Sequence, residues 1–351
     1  MNILIVKLGA LGDVLRTTSI LRPLRRKYRA ANIAWLTSKP AEALLQTNPL
    51  IDTVCVMGGS VPAALTKHPW DLIVSLEEDA QACRWVNRIR AREIVGAYLN
   101  AQGRPVYTAS SAPWFDMGVL NRGDDGSLDT ANRLKKKNTR TYPELLARIL
   151  GLSLARYPQE YRPILVLNER DRRANEEFRN RHGIGSRERL IGINLGSGTR
   201  WLSKQPSVET TVQWIRMLHQ RFGRRMILLG GPDEVERNRA ICERSGVPLM
   251  DAGTGHTICG FASLIDLCEL VVTADTLALH LASALRKKIV AVFGPTSPAE
   301  IELYGDGVKL LPPKPCRCYY RPRCRIARHC ADRITGERLV DAVGRLLKRR
   351  P

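Results

Sequence analysis

Short apolar runs alternate with amphipathic helical patterns through most of the chain, and they do so in two rounds. A strand that is apolar along its whole length needs cover on both faces. Helices placed between such strands supply that cover, so the pattern predicts βαβ units around mostly parallel sheets. In the first round, strands fit 2–6, 33–36, 53–56, 71–75 and 93–95, with helices over 14–28, 40–46, 79–90 and 142–150. In the second, strands fit 190–195, 226–229, 270–273 and 289–293, with helices over 208–222, 234–245, 276–285 and 337–348. From 101 to 138 the alternation fails. That stretch is rich in Gly, Asp, Ser and Asn and ends in Lys135-Lys136-Lys137, which predicts long loops near a binding surface. The polar stretch 157–173, with Pro158 and Pro163, separates the rounds. The expected division is 1–167, 168–335, and a C-terminal helix with a basic tail over 336–351.

Length agrees with this division, since 351 residues suit two domains that each bury a core. Charge restricts the partners. Lys and Arg total 55 against 34 Asp and Glu, a formal +21. Such a balance favours nucleic acid, an anionic membrane surface or a phosphorylated substrate. Aromatic residues are only 6%, with no interleaved aromatic and basic pattern, so no nucleic-acid partner is expected, and that reading stays as the rival. No apolar run approaches the roughly 18 residues of a membrane span. The start, with Lys7 and Asp13 interrupting its apolar run, does not read as a secretory signal, and a cytoplasmic protein is expected.

Four places carry candidate chemistry. Gly9-Ala10-Leu11-Gly12-Asp13 follows the first strand, where parallel sheets bind ligands. It is not a G-x-G-x-x-G turn, and Thr37-Ser38 stand where a dinucleotide domain wants an acid, which argues against a dehydrogenase. Asp13 reads either as a helix cap or as a base. Gly196-Ser197-Gly198-Thr199-Arg200, with Lys204 beyond it, reads as a phosphate-approaching turn or as an ordinary one with solvated basic residues. Asp275-Thr276-Leu277 ends a strand and opens a helix, whose first amides suit a diphosphate. His280 follows one turn later; the plainer readings are a cap and a core histidine. Glu234 and Glu236 follow Gly230-Gly231-Pro232, placed to grip ribose hydroxyls or merely to favour the helix dipole. Finally, Cys316, Cys318, Cys324 and Cys330 could hold a structural zinc or iron, or be simple thiols. The remaining five cysteines read as small buried hydrophobes.

Taken together, these residues resemble the heptosyltransferase family, glycosyltransferase family 9. The likeness covers most of the chain and is strongest in four places: residues 3–7 through Gly12-Asp13-Val14; Trp201 through Lys204 to Glu209; Leu229-Gly230-Gly231-Pro232; and Asp275 to Ala282 with Phe293-Gly294-Pro295-Thr296. Two departures stand out. Pro206-Ser207 replaces the family's Trp-Pro, and Leu277 replaces the glycine of its Asp-Thr-Gly. The resemblance implies a GT-B fold, two Rossmann-like doubly wound domains facing across a cleft, with the acceptor on the first and the sugar nucleotide on the second. It implies an inverting transfer from ADP-heptose to an inner-core sugar of lipopolysaccharide. Asp13 then matches the general base, Lys204 the diphosphate lysine, Asp275 the residue holding sugar hydroxyls, and Glu236, ahead of Glu234, the ribose acid. Thr276 and Leu277 supply amides to the diphosphate, Gly198, Thr199 and His280 complete the donor side, and Lys7, Gly12 and Arg16 meet the acceptor. No cofactor is expected for catalysis, since the chain has no Asp-x-Asp motif. The partners implied are an ADP-sugar, an anionic glycolipid and the inner leaflet, toward which Arg22, Arg25, Arg26, Lys27 and the Lys135–137 run would turn. Another sugar nucleotide, or an O-antigen or protein acceptor, is the alternative.

Overall fold

The first strand, β1 (Asn2–Val6), shows the logic of the whole chain. Ile3, Leu4, Ile5 and Val6 are all fully buried, as a central parallel strand covered on both faces must be. The computed structural model describes residues 1–118, 120, 127–316, 319–321, 323, 324, 326 and 329–349. Its contacts divide the chain into two units, Met1–Val166 with Ala299–Glu302, and Leu167–Pro298 with Leu303–Pro351.

In the first unit, β1 pairs in parallel with β2 (Asn32–Thr37) and β4 (Trp70–Ser75). β3 (Thr53–Val56) lies beyond β2, β5 (Ala91–Leu99) beyond β4, and β6 (Pro105–Tyr107) adds an antiparallel edge. The order is β3-β2-β1-β4-β5-β6. The second unit repeats this winding in a wholly parallel sheet. β7 (Leu190–Asn194) is flanked by β8 (Met226–Leu228) and β10 (Cys268–Ala274), with β9 (Leu249–Asp251), β11 (Lys288–Val292) and β12 (Gly307–Leu310) outside. Both halves are thus the Rossmann-like doubly wound sheets that the alternation predicts.

Helices start where the sequence offers caps. Asp79 accepts from the Gln81 and Ala82 amides ahead of Ala80–Arg88, Thr141 and Glu144 form a capping box on Tyr142–Ile149, and Ser207 caps Val208–Phe222. Trp214, Ile215 and Leu218 of that last helix share one core with Leu339, Val343 and Leu346 of the C-terminal helix, Gly336–Lys348. The tail helix is therefore part of the second unit's interior. No helix among the described residues is long and apolar enough to cross a membrane.

Four stretches differ from the sequence reading. The helix expected over 14–28 is two, Leu11–Thr17 and Leu21–Lys27, joined by a 3₁₀ turn at Thr18–Ile20. Pro23 explains the break: it lacks the N–H that would bond back to Ser19, and its ring crowds that carbonyl. The expected helix over 40–46 is a 3₁₀ segment, Lys39–Leu44. The supposed loops of 101–138 carry β6, a short helix Ala112–Phe115 and a longer one, Leu128–Lys137. The polar stretch around 168 starts a charged helix, Glu169–Arg181, with its own capping box from Asn168 and Asp171.

Candidate functional site

In a doubly wound sheet the strand order reverses between the first and fourth strands, and the loops leaving their carboxyl ends diverge to form a crevice. Here those pairs are β1 with β4, and β7 with β10. All the expected catalytic and donor residues except Glu236 lie on or just after these strand ends or are tied to them.

At the first reversal, Glu77 collects three donors on one oxygen. Lys7 Nζ donates to Glu77 Oε1 at 2.9 Å, the Leu8 amide at 2.6 Å and the Gly9 amide at 3.1 Å. Lys7 also donates to the Leu76 carbonyl at 3.3 Å. Burial pulls the Lys7 pKa down, but attraction to Glu77, then to Asp13 and Tyr142, outweighs it and holds the ammonium above its ordinary value. Lys7 therefore faces inward and braces the loop, rather than presenting its charge at the surface.

Asp13 lies in the first turn of Leu11–Thr17, whose N-cap is Ala10, so it is not the cap. Its Oδ1 forms an ion pair with Arg16 Nε at 2.8 Å, and 38% of its side chain remains exposed, leaving the carboxylate reachable by a solvent-borne hydroxyl. The Arg16 guanidinium lies 3.9 Å from the centroid of the Tyr142 ring and 5.8 Å from that of Trp114. Tyr142 is locked by a 2.7 Å hydrogen bond with Thr17 Oγ1, which itself donates to the Asp13 carbonyl at 2.6 Å. Gly12 is buried in the same turn. Lys135 reaches the same neighbourhood: burial lowers its pKa against the opposing pull of Glu300, Glu78 and Asp13.

The other basic residues expected at a membrane are largely engaged within the unit. Arg22 donates to the Arg162 carbonyl at 2.8 Å, Arg25 to Asp52 at 2.7 Å, Arg26 to Glu160, and Lys27 to the Leu150 carbonyl at 3.1 Å. Lys136 and Lys137 stay exposed.

At the second reversal, Lys204 Nζ donates to the Asp275 carbonyl at 2.9 Å and to its Oδ2 at 3.2 Å. The helix Leu277–Ala284 begins directly after Thr276, which places no side-chain cap on it. Thr276 Oγ1 instead donates to Asn194 Oδ1 at 3.2 Å, tying the ends of β7 and β10. The first amides of that helix thus keep the anion-binding character of a helix head. Asp275 does not cap the helix, and His280 is buried within it.

Glu234 spans two turns. Its Oε1 accepts from the Gly198 amide at 2.6 Å and its Oε2 from the Gly231 amide at 2.7 Å. Gly196 is required there, since a Cβ would stand 2.4 Å from Glu234 Cγ. Thr199 is tied to the same corner, its amide donating to Asp233 Oδ2 at 3.2 Å. The structure does not bring Glu236 to this turn. It sits 76% exposed on Val235–Ser245, paired with Arg239, because the 3₁₀ turn Pro232–Glu234 aims the earlier acid inward.

Of the cysteine cluster, Cys316 and Cys324 are half-buried and Cys330 is buried, while Cys318 lies outside the described residues. Among the described residues no three His, Cys, Asp or Glu side chains gather as metal ligands.

Sequence reasoning passed over Glu77, Trp114, Tyr142 and Asn194. Only the strand order points to Glu77 and Asn194, by placing the ends of β4 and β7 beside the loops already singled out.

Residues 154–317 match glycosyltransferase family 9 (heptosyltransferase). No curated protein sequence matches the chain. Among solved structures, a family 9 glycosyl transferase from Veillonella parvula DSM 2008 superposes with a TM-score of 0.78 at 20% identity, covering 99% of this chain and 97% of the other. The ADP-heptose lps heptosyltransferase II of E. coli gives 0.67 at 18%, over 99% and 98%. The E. coli heptosyltransferase WaaC with ADP-2-deoxy-2-fluoro heptose gives 0.61 at 16%, over 98% and 99%. At these identities the structural likeness is one of fold.

Proposed function

Since this chain is a glycosyltransferase carrying a family 9 (heptosyltransferase) domain, we propose that it moves a heptose from ADP-heptose to an inner-core sugar of lipopolysaccharide, with inversion at the anomeric carbon. The observation that carries this reading is the second reversal, where Lys204, Asp275 and the helix head at Thr276 lie together. A sugar nucleotide leaves as a diphosphate, and that is the charge such a corner stabilises. The ammonium of Lys204 and the amides of Leu277 and its neighbours meet the phosphates as negative charge builds on them. Asp275 accepts from the sugar hydroxyls. Glu234, already buried beside the Gly198–Thr199 turn, is the better placed of the two acids to take the ribose. His280 backs the helix from within.

Asp13 supplies the base. The acceptor oxygen forms its bond to the anomeric carbon as the bond from that carbon to the diphosphate breaks. The hydroxyl proton goes to Asp13 and the electron pair leaves with ADP. Arg16 holds Asp13 in place and meets an anionic group on the acceptor, Gly12 lets the acceptor approach the turn, and Lys7 positions the loop through Glu77. An anionic glycolipid would bring the protein to the inner face of the membrane, where the exposed Lys136 and Lys137 would meet headgroups. A solved neighbour named for ADP-heptose and another described with ADP-2-deoxy-2-fluoro heptose support the donor class.

A thermal-shift panel of ADP-, GDP- and UDP-sugars tests the donor; stabilisation by a UDP-sugar and none by ADP-heptose would redirect the assignment. Asp13→Ala should abolish transfer with donor affinity intact, and Lys204→Ala should weaken ADP binding. Wild-type turnover in the Asp13 variant would remove that residue from the mechanism.

A further inference from the structure

Residues 319–321 are tied both to the loop that carries Lys204 and to the turn that follows β11. Ser203, buried, donates its hydroxyl to the Arg321 carbonyl at 2.6 Å. The Tyr320 amide donates to the Pro295 carbonyl at 2.7 Å, and the Tyr320 hydroxyl accepts from the Ser297 amide at 3.3 Å. The Trp201 and Tyr320 rings meet edge-on with centroids 6.3 Å apart, and the Lys204 ammonium lies 5.4 Å from the Trp201 ring centroid. Gly294 closes the assembly from the end of β11: a Cβ there would stand 3.0 Å from the Ser203 carbonyl. Tyr320 itself sits at φ 52°, a left-handed conformation that a tyrosine keeps only where its surroundings hold it.

Lys204 is therefore fixed from two sides. Asp275 holds its ammonium, and residues 319–321 hold its own turn through the Ser203 hydroxyl and the Trp201 ring. A long flexible side chain that must meet a diphosphate binds better when its loop is ordered beforehand, because less freedom is lost on binding.

We infer that the segment 319–321 is a brace for the diphosphate lysine, with Ser203 and Tyr320 as positioning residues for the donor; the inference rests on the reading of Lys204 as a donor contact. It gives the cysteine-rich stretch a role at the donor site whether or not its thiols bind anything. Coupling of this kind is reciprocal: if the brace strengthens donor binding, donor binding tightens the brace.

The test is ADP calorimetry on Lys204→Ala, Ser203→Ala and Tyr320→Phe, with steady-state kinetics and amide hydrogen exchange across 319–321. Ser203→Ala and Tyr320→Phe should each weaken ADP about fivefold, the net worth of one neutral hydrogen bond. The donor KM should rise while the acceptor KM stays put, a split that general loosening of the protein does not give. Ser203→Thr, which keeps the hydroxyl, should restore affinity. ADP should slow exchange of the Tyr320 amide in the wild type, and do so less in Ser203→Ala. If Lys204→Ala weakens ADP while both brace variants bind like wild type, or if ADP leaves Tyr320 exchange unchanged, the brace is refuted and the donor reading survives. Unchanged ADP binding in Lys204→Ala overturns both.

Discussion

Replacing Glu77 with alanine removes the acceptor of three donors at once: Lys7 Nζ at 2.9 Å, and the Leu8 and Gly9 amides at 2.6 and 3.1 Å. Both charged side chains are little exposed, Lys7 at 10% and Glu77 at 14%, so water does little to screen them. The variant keeps a buried ammonium whose remaining hydrogen bond goes to the Leu76 carbonyl at 3.3 Å. Removing one partner of a buried ion pair costs about 3–5 kcal/mol. An orphaned amide adds roughly 1 kcal/mol wherever water fails to replace the carboxylate. Taking about 5 kcal/mol in all, and about 2–4 °C per kcal/mol for a unit of this size, the first unit's melting transition should fall by on the order of 10 °C. Differential scanning calorimetry reads this directly. The double variant Lys7→Met/Glu77→Leu leaves no uncompensated charge and should be more stable than Glu77→Ala alone. A fall of under about 2 °C, less than one such kcal/mol, or a double variant no better than the single, would show that this carboxylate does not organise the loop leading to Asp13.

Glu234→Ala should lower stability and donor affinity together, since it frees the Gly198 and Gly231 amides, whereas Glu236→Ala should change neither; equal losses by calorimetry would move the ribose contact elsewhere. Because Lys7 is held above its ordinary value of 10.5, the stability it lends is complete below that pH and disappears as pH climbs through the raised value. Denaturation midpoints followed upward through that range should therefore fall more steeply for wild type than for Lys7→Met. Burial pushes the thiols of Cys83 and Cys259 up to about 11 and that of Cys268 to about 12. All three should resist alkylation near neutral pH until the protein is unfolded, and rapid labelling of the native protein would contradict their burial.

Central strands declared themselves in the sequence because burial on both faces demands uninterrupted apolar runs, as at Ile3 to Val6 and Leu270 to Val272. Edge strands carry no such demand. β9 and β12 are only partly covered, and their mixed composition hid them. The helix Glu169–Arg181 buries little beyond Phe178, so its pattern reads as a solvated linker; the Asn168 and Asp171 box was its local signal. Within the candidate site, strand-end motifs located Asp13, Lys204 and Asp275. Which of two nearby acids turns inward depended on one 3₁₀ turn, and the inward face of Lys7 depended on Glu77, just past the end of β4 and 70 positions on. Both are tertiary facts, set by packing between elements rather than by spacing along one.

Residues 299–302 leave the second half of the sequence to belong with the first unit. There the Glu300 carbonyl accepts from the Tyr142 amide, and Glu302 takes the Tyr157 hydroxyl. Simple truncation at 166 would consequently not yield two self-sufficient fragments. The N-terminal piece would lose the splint seated on Tyr142, whose ring underlies Arg16, and the C-terminal piece would carry that splint with nowhere to lodge it. Dissecting the chain into working halves calls for circular permutation, or for supplying 299–302 in trans to the first half.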